Sequence, residues 1–184
     1  MHIYIYILFI LAIFERTVLD LGPNVELITL AMLAASIYLS RSKAFKLTFL
    51  LMAATDLVIG NTTIFVFTWS GFLLPTILIP IFKIRGTKLE IIKATGLGVL
   101  SNLFFFIWTN FGVWLLDSWS MYSKSIPSLI HCYVNALPFL RLQLASTLLF
   151  VPVGFYLLSK YSRARSIAAS SLASSTGKHT SLTI

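Results

Sequence analysis

Residues Ala94–Asp117 read ATGLGVLSNLFFFIWTNFGVWLLD, a long and nearly uncharged stretch. Its first 23 residues, up to Leu116, carry no charge. At about 1.5 Å rise per residue, a helix of that length spans a hydrocarbon core of roughly 30 Å. The stretch therefore predicts a transmembrane helix.

The predicted helix has one polar side. At about 100° per residue, its polar members share an arc of roughly 100°. They are Asn102, Thr109, Asn110 and Asp117. Phe104, Trp108 and Leu115 lie on the opposite side. The apolar side predicts lipid contact or packing, and the polar side predicts contact with something polar.

The rest of the composition extends this interpretation to the whole chain. Of its 184 residues, 58% are hydrophobic and 11% are charged, whereas a soluble domain has about 25% charged residues. The sequence predicts an all-α polytopic membrane protein with about six transmembrane helices in one bundle. The approximate spans are 3–14, 25–39, 45–59, 62–82, 94–116 and 139–158.

Two regions follow from this division of the chain. Residues 1–160 are predicted to form the six-helix transmembrane domain. Residues 161–184 are basic and Ser-rich, a composition that cannot bury a core, and they are predicted to be a disordered cytoplasmic tail. Residues 118–138 are predicted to be a long connection that roofs the outer end of the bundle.

The charges predict the orientation in the membrane. Six spans place 11 basic residues and one acid on one side, and three basic residues and five acids on the other. Because cytoplasmic loops carry the excess of Lys and Arg, both termini are predicted to be cytoplasmic, in the cell membrane. The net charge of +8 is spread over short loops, which indicates contact with the lipid bilayer and no nucleic acid.

With this orientation, the polar groups inside the spans collect near the outer side. They are Glu26, Asp56, Asn110 and Asp117. A charge at mid-bilayer costs on the order of 3 kcal/mol or more, so such groups face the bundle interior or a wet cavity. The sequence predicts a ligand between the second, third and fifth spans, with Trp114 stacking on it.

Several residues of the predicted site also have an alternative, purely structural interpretation. Asn102, Thr109 and Thr55 could each form hydrogen bonds that join neighbouring helices. Asp117 and Glu26 could be boundary residues in the headgroup region, and Asp56 could pin a helix beside the site. A small-residue face at Ala31 and Ala35 predicts either packing within the bundle or contact with a partner subunit. Trp114 could belong to the aromatic belt.

Signatures of catalysis do not occur in the sequence. It has no GxSxG, no HExxH and no P-loop. Cys132 is the single cysteine, and His131 beside it has no second His or Cys close by. The sequence therefore predicts a protein that is not an enzyme and has no cofactor or metal site.

Three stretches carry a resemblance to a known family. They are PNVE at 23–26, TDLVIGN at 55–61, and FFFIWTNFGVWL at 104–115 followed by CYVNALPF at 132–139. Over about residues 12–158 the chain resembles an uncharacterised bacterial membrane family described as substrate-binding (S) components of energy-coupling factor (ECF) transporters. The matching positions are Asn24, Asp56, Thr109, Asn110, Trp114, Cys132, Tyr133 and Pro138.

The resemblance implies an S-component-like fold and function. Such a protein captures a vitamin-like small molecule from the outer side and associates with a transmembrane coupling subunit and two ATPase subunits. It hydrolyses no ATP itself. The alternative is a structural membrane protein resembling the rod-shape-determining MreD-type scaffolds, which are also small, with five or six apolar spans.

Overall fold

The structure is a computed structural model of the chain. It describes residues 2–19, 21–22, 24–60, 63–117 and 120–179, with side chains described as far as residue 161. Pro23 and Asn61, from the stretches that carry the resemblance, and residues 118–119 of the predicted connection lie outside the described residues. Strands do not occur in the part of the chain that the structure describes, which confirms the all-α class.

Helices account for nearly all of the described chain. In order they are α1 (His2–Phe14), α2 (Ile28–Tyr38), α3 (Arg41–Ile59), α4 (Phe65–Leu78), α5 (Glu90–Leu116) and α6 (Ile126–His179). A π-helical turn, Glu15–Leu19, extends α1, and a 3-10 turn, Ile79–Phe82, extends α4.

Four helical segments are long and apolar enough to cross a membrane. They are His2–Leu19, Phe65–Phe82, Glu90–Leu116 and Ile126–Tyr161. Helix α2 is apolar but has only 11 residues, and α3 begins with the cations Arg41, Lys43 and Lys46. Four of the predicted spans therefore coincide with helical segments that can cross a membrane, and the count of six spans stays a prediction.

Helix α2 is the centre of the bundle. It contacts all of the other five helices, and ten of its residues are buried. A helix that is apolar all round is stable only when its neighbours enclose it. Ala31, Ala34 and Ala35 have no exposed surface at all. The small residues predicted on this helix therefore serve packing within the bundle and leave no face for a partner subunit.

Helices α5 and α6 make the most extensive contact between elements. The sequence predicted a connection over residues 118–138, whereas α6 begins at Ile126 and passes through Pro138 without a break. A proline removes only one backbone donor, and neighbouring helices compensate for it in a packed membrane bundle. The predicted roof is thus reduced to a short segment that ends at Ser125.

The polar edge of α5 faces the bundle, as the sequence predicts. Asn102 and Thr109 are buried, while Phe104 and Leu115 are exposed. At the other end of the chain, the helical backbone of α6 continues to His179. No helix stop such as Gly or Pro occurs between Lys160 and Thr176, and the disordered cytoplasmic tail over residues 161–184 stays a prediction.

Two glycines of α5 allow a matched test of this packing. A Cβ at Gly112 would lie 2.3 Å from Cγ of Phe67 on α4, whereas a Cβ at Gly96 would meet nothing within 4 Å. We expect Gly112→Ala to lower the free energy of unfolding by about 1–3 kcal/mol through overpacking. Gly96→Ala should leave it unchanged or raise it by up to about 1 kcal/mol. Thermal unfolding in one detergent measures both, and equal effects would contradict the packing.

Candidate functional site

A cavity of about 290 Å³ opens at the end of the bundle where α1 ends and α4 begins. Helix α5 supplies its back wall, α6 and α4 its sides, and the connection before α2 its rim. It is lined by Arg16, Asn24, Glu26, Ile64, Thr68, Phe72, Phe105, Phe106, Thr109, Asn110, Val113, Ala136, Phe139, Leu140 and Gln143. Four residues predicted from the sequence therefore come together here: Asn24, Glu26, Thr109 and Asn110.

Arg16 is the cation of this cavity. It stands in the π-helical turn after α1, a local irregularity that often occurs at functional positions. Its side chain is only 11% exposed. One terminal nitrogen lies 2.9 Å from Oδ1 of Asp56, and the other lies 3.8 Å from Oε1 of Glu26. Its buried Nε has no hydrogen-bond partner among the described residues.

Asp56 ties three elements together beside the cavity. Its Oδ1 accepts the hydrogen bond from Arg16, and its Oδ2 accepts one from Nε1 of Trp69 on α4 at 2.7 Å. The carboxylate itself does not line the cavity. Of the two roles considered for Asp56, pinning helices beside a site is the one that this geometry matches.

The connection before α2 is held from both sides. Oε2 of the buried Glu15 accepts the backbone N–H of Leu27 at 3.2 Å. The hydroxyl of Ser146 on α6 donates to the carbonyl of Glu26 at 3.0 Å. These bonds place Asn24 and Glu26 at the rim of the cavity, because the chain between the π-helical turn and α2 is short.

The charge of Glu26 depends on its surroundings. Glu26 lies in the connection before α2, outside the four segments that can cross a membrane. Burial raises the pKa of its carboxyl above the usual range, the Arg16 guanidinium lowers it, and the Asp56 carboxylate raises it again. The rim of the cavity therefore carries a carboxyl group that can change its protonation state closer to neutral pH than an exposed glutamate does.

Amide groups supply the remaining polarity of the cavity. Nδ2 of Asn110 donates to the carbonyl of Phe106 in its own helix at 2.8 Å, which leaves the amide oxygen as an acceptor. Thr109 similarly donates to the carbonyl of Phe105. Gln143 on α6 is 4% exposed, and its side chain makes no hydrogen bond to any residue that the structure describes. Because Gln143 lines the cavity, its amide can donate to and accept from a polar ligand or water there.

The other predicted residues lie outside the cavity. Nε1 of Trp114 donates to the carbonyl of Ser123, and Nζ of Lys124 lies 5.5 Å from the centre of the indole ring. Asp117 ends α5 in the left-handed conformation, and its Oδ1 accepts the backbone N–H groups of Met121 and Tyr122. These two side chains order the segment after α5, so the structure provides no stacking surface at Trp114 for a ligand in the cavity.

Tyr133 and α3 also differ from the predicted arrangement. The hydroxyl of Tyr133 donates to the carbonyl of Ile107 at 2.9 Å and joins α6 to α5. The sequence placed a ligand between the second, third and fifth spans, but α3 contributes no lining residue. Helix α6 occupies that position because it begins 13 residues earlier than the predicted span.

The sequence did not identify three parts of the cavity as site residues: Arg16, Gln143 and the phenylalanines of its walls. Arg16 was not among the predicted site residues, although a lone arginine after an apolar run is a signal for an acidic partner inside the bundle. Gln143 gave a comparable signal as the single amide of its apolar stretch. The phenylalanines carried no signal, since fifteen occur in the chain and most of them face lipid or packing.

The groups that line the cavity are suited to binding a small molecule. It combines one arginine, one carboxyl group of adjustable charge, several amides and an apolar wall, which is the usual composition of a small-molecule site. Groups of three or more His, Cys, Asp or Glu that could hold a metal ion do not occur among the described residues.

Comparisons with known proteins identify the family. No curated protein and no solved structure matches the chain. One family model matches residues 1–171, nearly the whole length. The chain therefore belongs to this family, which is described as a family of unknown function (DUF6580).

Proposed function

We propose that the protein is a membrane-embedded substrate-binding (S) component of an ECF-type importer. It binds a vitamin-like small molecule in the cavity beside Arg16 and Gln143. The observation that supports this most strongly is the buried Nε of Arg16, which has no hydrogen-bond partner among the described residues, within a cavity that also contains Gln143 and Asn110. A helix bundle built only for structure gains nothing from an unsatisfied buried donor.

The proposal includes the orientation in the cell membrane. Six helices cross or enter the bilayer, both termini are cytoplasmic, and the cavity opens to the outer side. The charge distribution supports this, since Lys83, Arg85, Lys88 and Lys93 all follow α4, at the end opposite to the cavity. Import then requires a transmembrane coupling subunit and ATPase subunits, because the chain has no nucleotide-binding motif of its own.

The cavity indicates what kind of molecule fits. Its volume of about 290 Å³ lies at the lower end of the range for small-molecule sites. Phe72, Phe105, Phe106 and Phe139 give it apolar walls, while the amides of Asn110 and Gln143 offer hydrogen bonds. A compact ligand with a flat apolar body and a hydrogen-bonding edge meets both conditions. It fits the vitamin-like class better than a sugar or a peptide does.

Native mass spectrometry of the protein purified from its own host tests the proposal. We expect a bound small molecule, with the coupling and ATPase subunits in the same preparation. Asn110→Ala and Gln143→Ala should each weaken binding of that molecule about three- to tenfold, the loss for one hydrogen bond. Asn135→Ala is the matched control, because Asn135 is exposed and bonds to Tyr122 outside the cavity.

Two results would contradict the proposal. One is a preparation without any small molecule in which wall-synthesis proteins copurify, as the MreD-type scaffold predicts. The other is a bound molecule whose affinity responds equally to all three alanine substitutions.

A further inference from the structure

A second pocket lies at the opposite end of the bundle and is independent of the proposed ligand site. Its volume is about 260 Å³. The end of α2, the start of α5, one residue of α6 and the connection between α4 and α5 enclose it. The lining residues are Tyr38, Arg85, Gly86, Thr87, Lys88, Glu90, Ile91 and Ser159.

The connection between α4 and α5 is held in a defined shape. The two carboxylate oxygens of Glu90 accept hydrogen bonds from the Tyr38 hydroxyl and from the backbone N–H of Gly86. Gly86 has φ +75°, a left-handed conformation that favours glycine. The guanidinium carbon of Arg85 lies 5.5 Å from the centre of the Tyr38 ring. The pocket is therefore built by specific contacts.

The pocket attracts anions. Arg85 and Lys88 line it and both are exposed, so their charged groups can reach a ligand. Lys83 and Lys93 flank them, and Glu90 is the one acid between residues 83 and 93. Glu90 accepts hydrogen bonds from Tyr38 and Gly86 and makes no ion pair with Arg85 or Lys88 in the described part of the chain, so both cations are available to a ligand.

A hydroxyl group in the pocket lacks a partner. Oγ1 of Thr87 is buried and makes no hydrogen bond to any residue described by the structure. A buried hydroxyl without a partner destabilises the fold, and an acceptor oxygen at this position would relieve that cost. A phosphate oxygen beside two cations satisfies this requirement, since phosphate accepts hydrogen bonds from several donors at once.

Exposed apolar side chains occur next to the lining residues in the chain and indicate the source of the phosphate. Leu89, between Lys88 and Glu90, is 52% exposed, and Ile92, two residues after Glu90, is 68% exposed. In a membrane protein these side chains face acyl chains, so a ligand here is polar at one end and apolar at the other. We propose that this pocket binds the phosphate of an anionic phospholipid, as basic pockets between membrane helices do.

Lipid retention in nanodiscs tests this proposal. The full-length protein is reconstituted into mixed phosphatidylcholine and phosphatidylglycerol nanodiscs and released for native mass spectrometry. We expect retained phosphatidylglycerol over phosphatidylcholine. The double substitution Arg85→Ala/Lys88→Ala should reduce retention about tenfold or more, since each cation near the surface contributes about 1 kcal/mol. Thr87→Val keeps the shape and should reduce retention about threefold or more.

A charge-matched control separates the pocket from the surface charge. Lys43→Ala/Lys46→Ala removes the same charge from exposed positions of α3, at the same end of the bundle and outside the pocket. It should change retention by less than about twofold. Equal losses in the two double variants, or equal retention of both lipids by the parent protein, would overturn the proposal. Displacement of phosphatidylglycerol by inorganic phosphate alone would assign the pocket to free phosphate instead.

Discussion

Replacing Asp56 with alanine is expected to lower the free energy of unfolding by about 3–5 kcal/mol. The substitution leaves the Arg16 guanidinium inside the bundle without its closest counter-charge, and it removes the acceptor for Nε1 of Trp69. Removing one partner of a buried ion pair costs more than the pair itself contributes, because the remaining charge stays desolvated. Denaturant or thermal unfolding in detergent measures the effect.

Two further variants identify the cause of this loss. Arg16→Met combined with Asp56→Ala removes both charges and should recover at least half of the lost stability. Asp117→Asn is the control for a general loss of negative charge at this end of the bundle. Asn keeps the side-chain oxygen and tolerates the left-handed conformation of residue 117, so we expect a change below about 1 kcal/mol. If the double variant is no more stable than Asp56→Ala alone, the ion pair is not the reason for the loss.

Much of the fold can be predicted from the sequence because lipid offers no hydrogen bonds to the backbone. In hydrocarbon, the backbone N–H and C=O groups of a chain must find their hydrogen-bond partners within helices. An uncharged run such as the one ending at Leu116 therefore has few alternatives to a helix. The start of α6 was missed because Pro138 reads as a helix boundary in water. Helix α6 packs against α5 and α2, and the same proline is tolerated in a helix of a membrane bundle.

The site was harder to predict than the helices. The helical wheel correctly turned Asn102 and Thr109 inward, because both lie in one regular helix. It could not show that Arg16 reaches Asp56, 40 residues further along, since the π-helical turn changes the direction of the side chains that follow α1. Trp114 and Asp117 were misplaced because their contacts arise from the turn after α5, where helical periodicity ends.

The structure divides the polar edge of α5 into two halves with different roles. Asn102 is 1% exposed and joins three helices. Its Oδ1 accepts the Thr29 hydroxyl of α2 at 3.1 Å, and its Nδ2 donates to Oγ1 of Thr147 and to the carbonyl of Gln143 on α6. The side chain of Asn110, two turns later, bonds only to the carbonyl of Phe106 in its own helix, as far as the described residues show, and Asn110 borders the cavity. One residue connects helices, and the other is free to meet a ligand.

The same substitution at these two positions should therefore change the free energy of unfolding by different amounts. Asn102→Ala is expected to lower the free energy of unfolding by about 2–4 kcal/mol, since it empties a packed volume and leaves the Thr29 and Thr147 hydroxyls without this partner. Asn110→Ala should cost less than about 1 kcal/mol, because the lost bond is local and the side chain is partly exposed. Unfolding in one detergent, with ligand retention measured on the same samples, compares them. If Asn110→Ala destabilises the bundle as much as Asn102→Ala does, the whole edge connects helices and Asn110 has no separate role at the cavity.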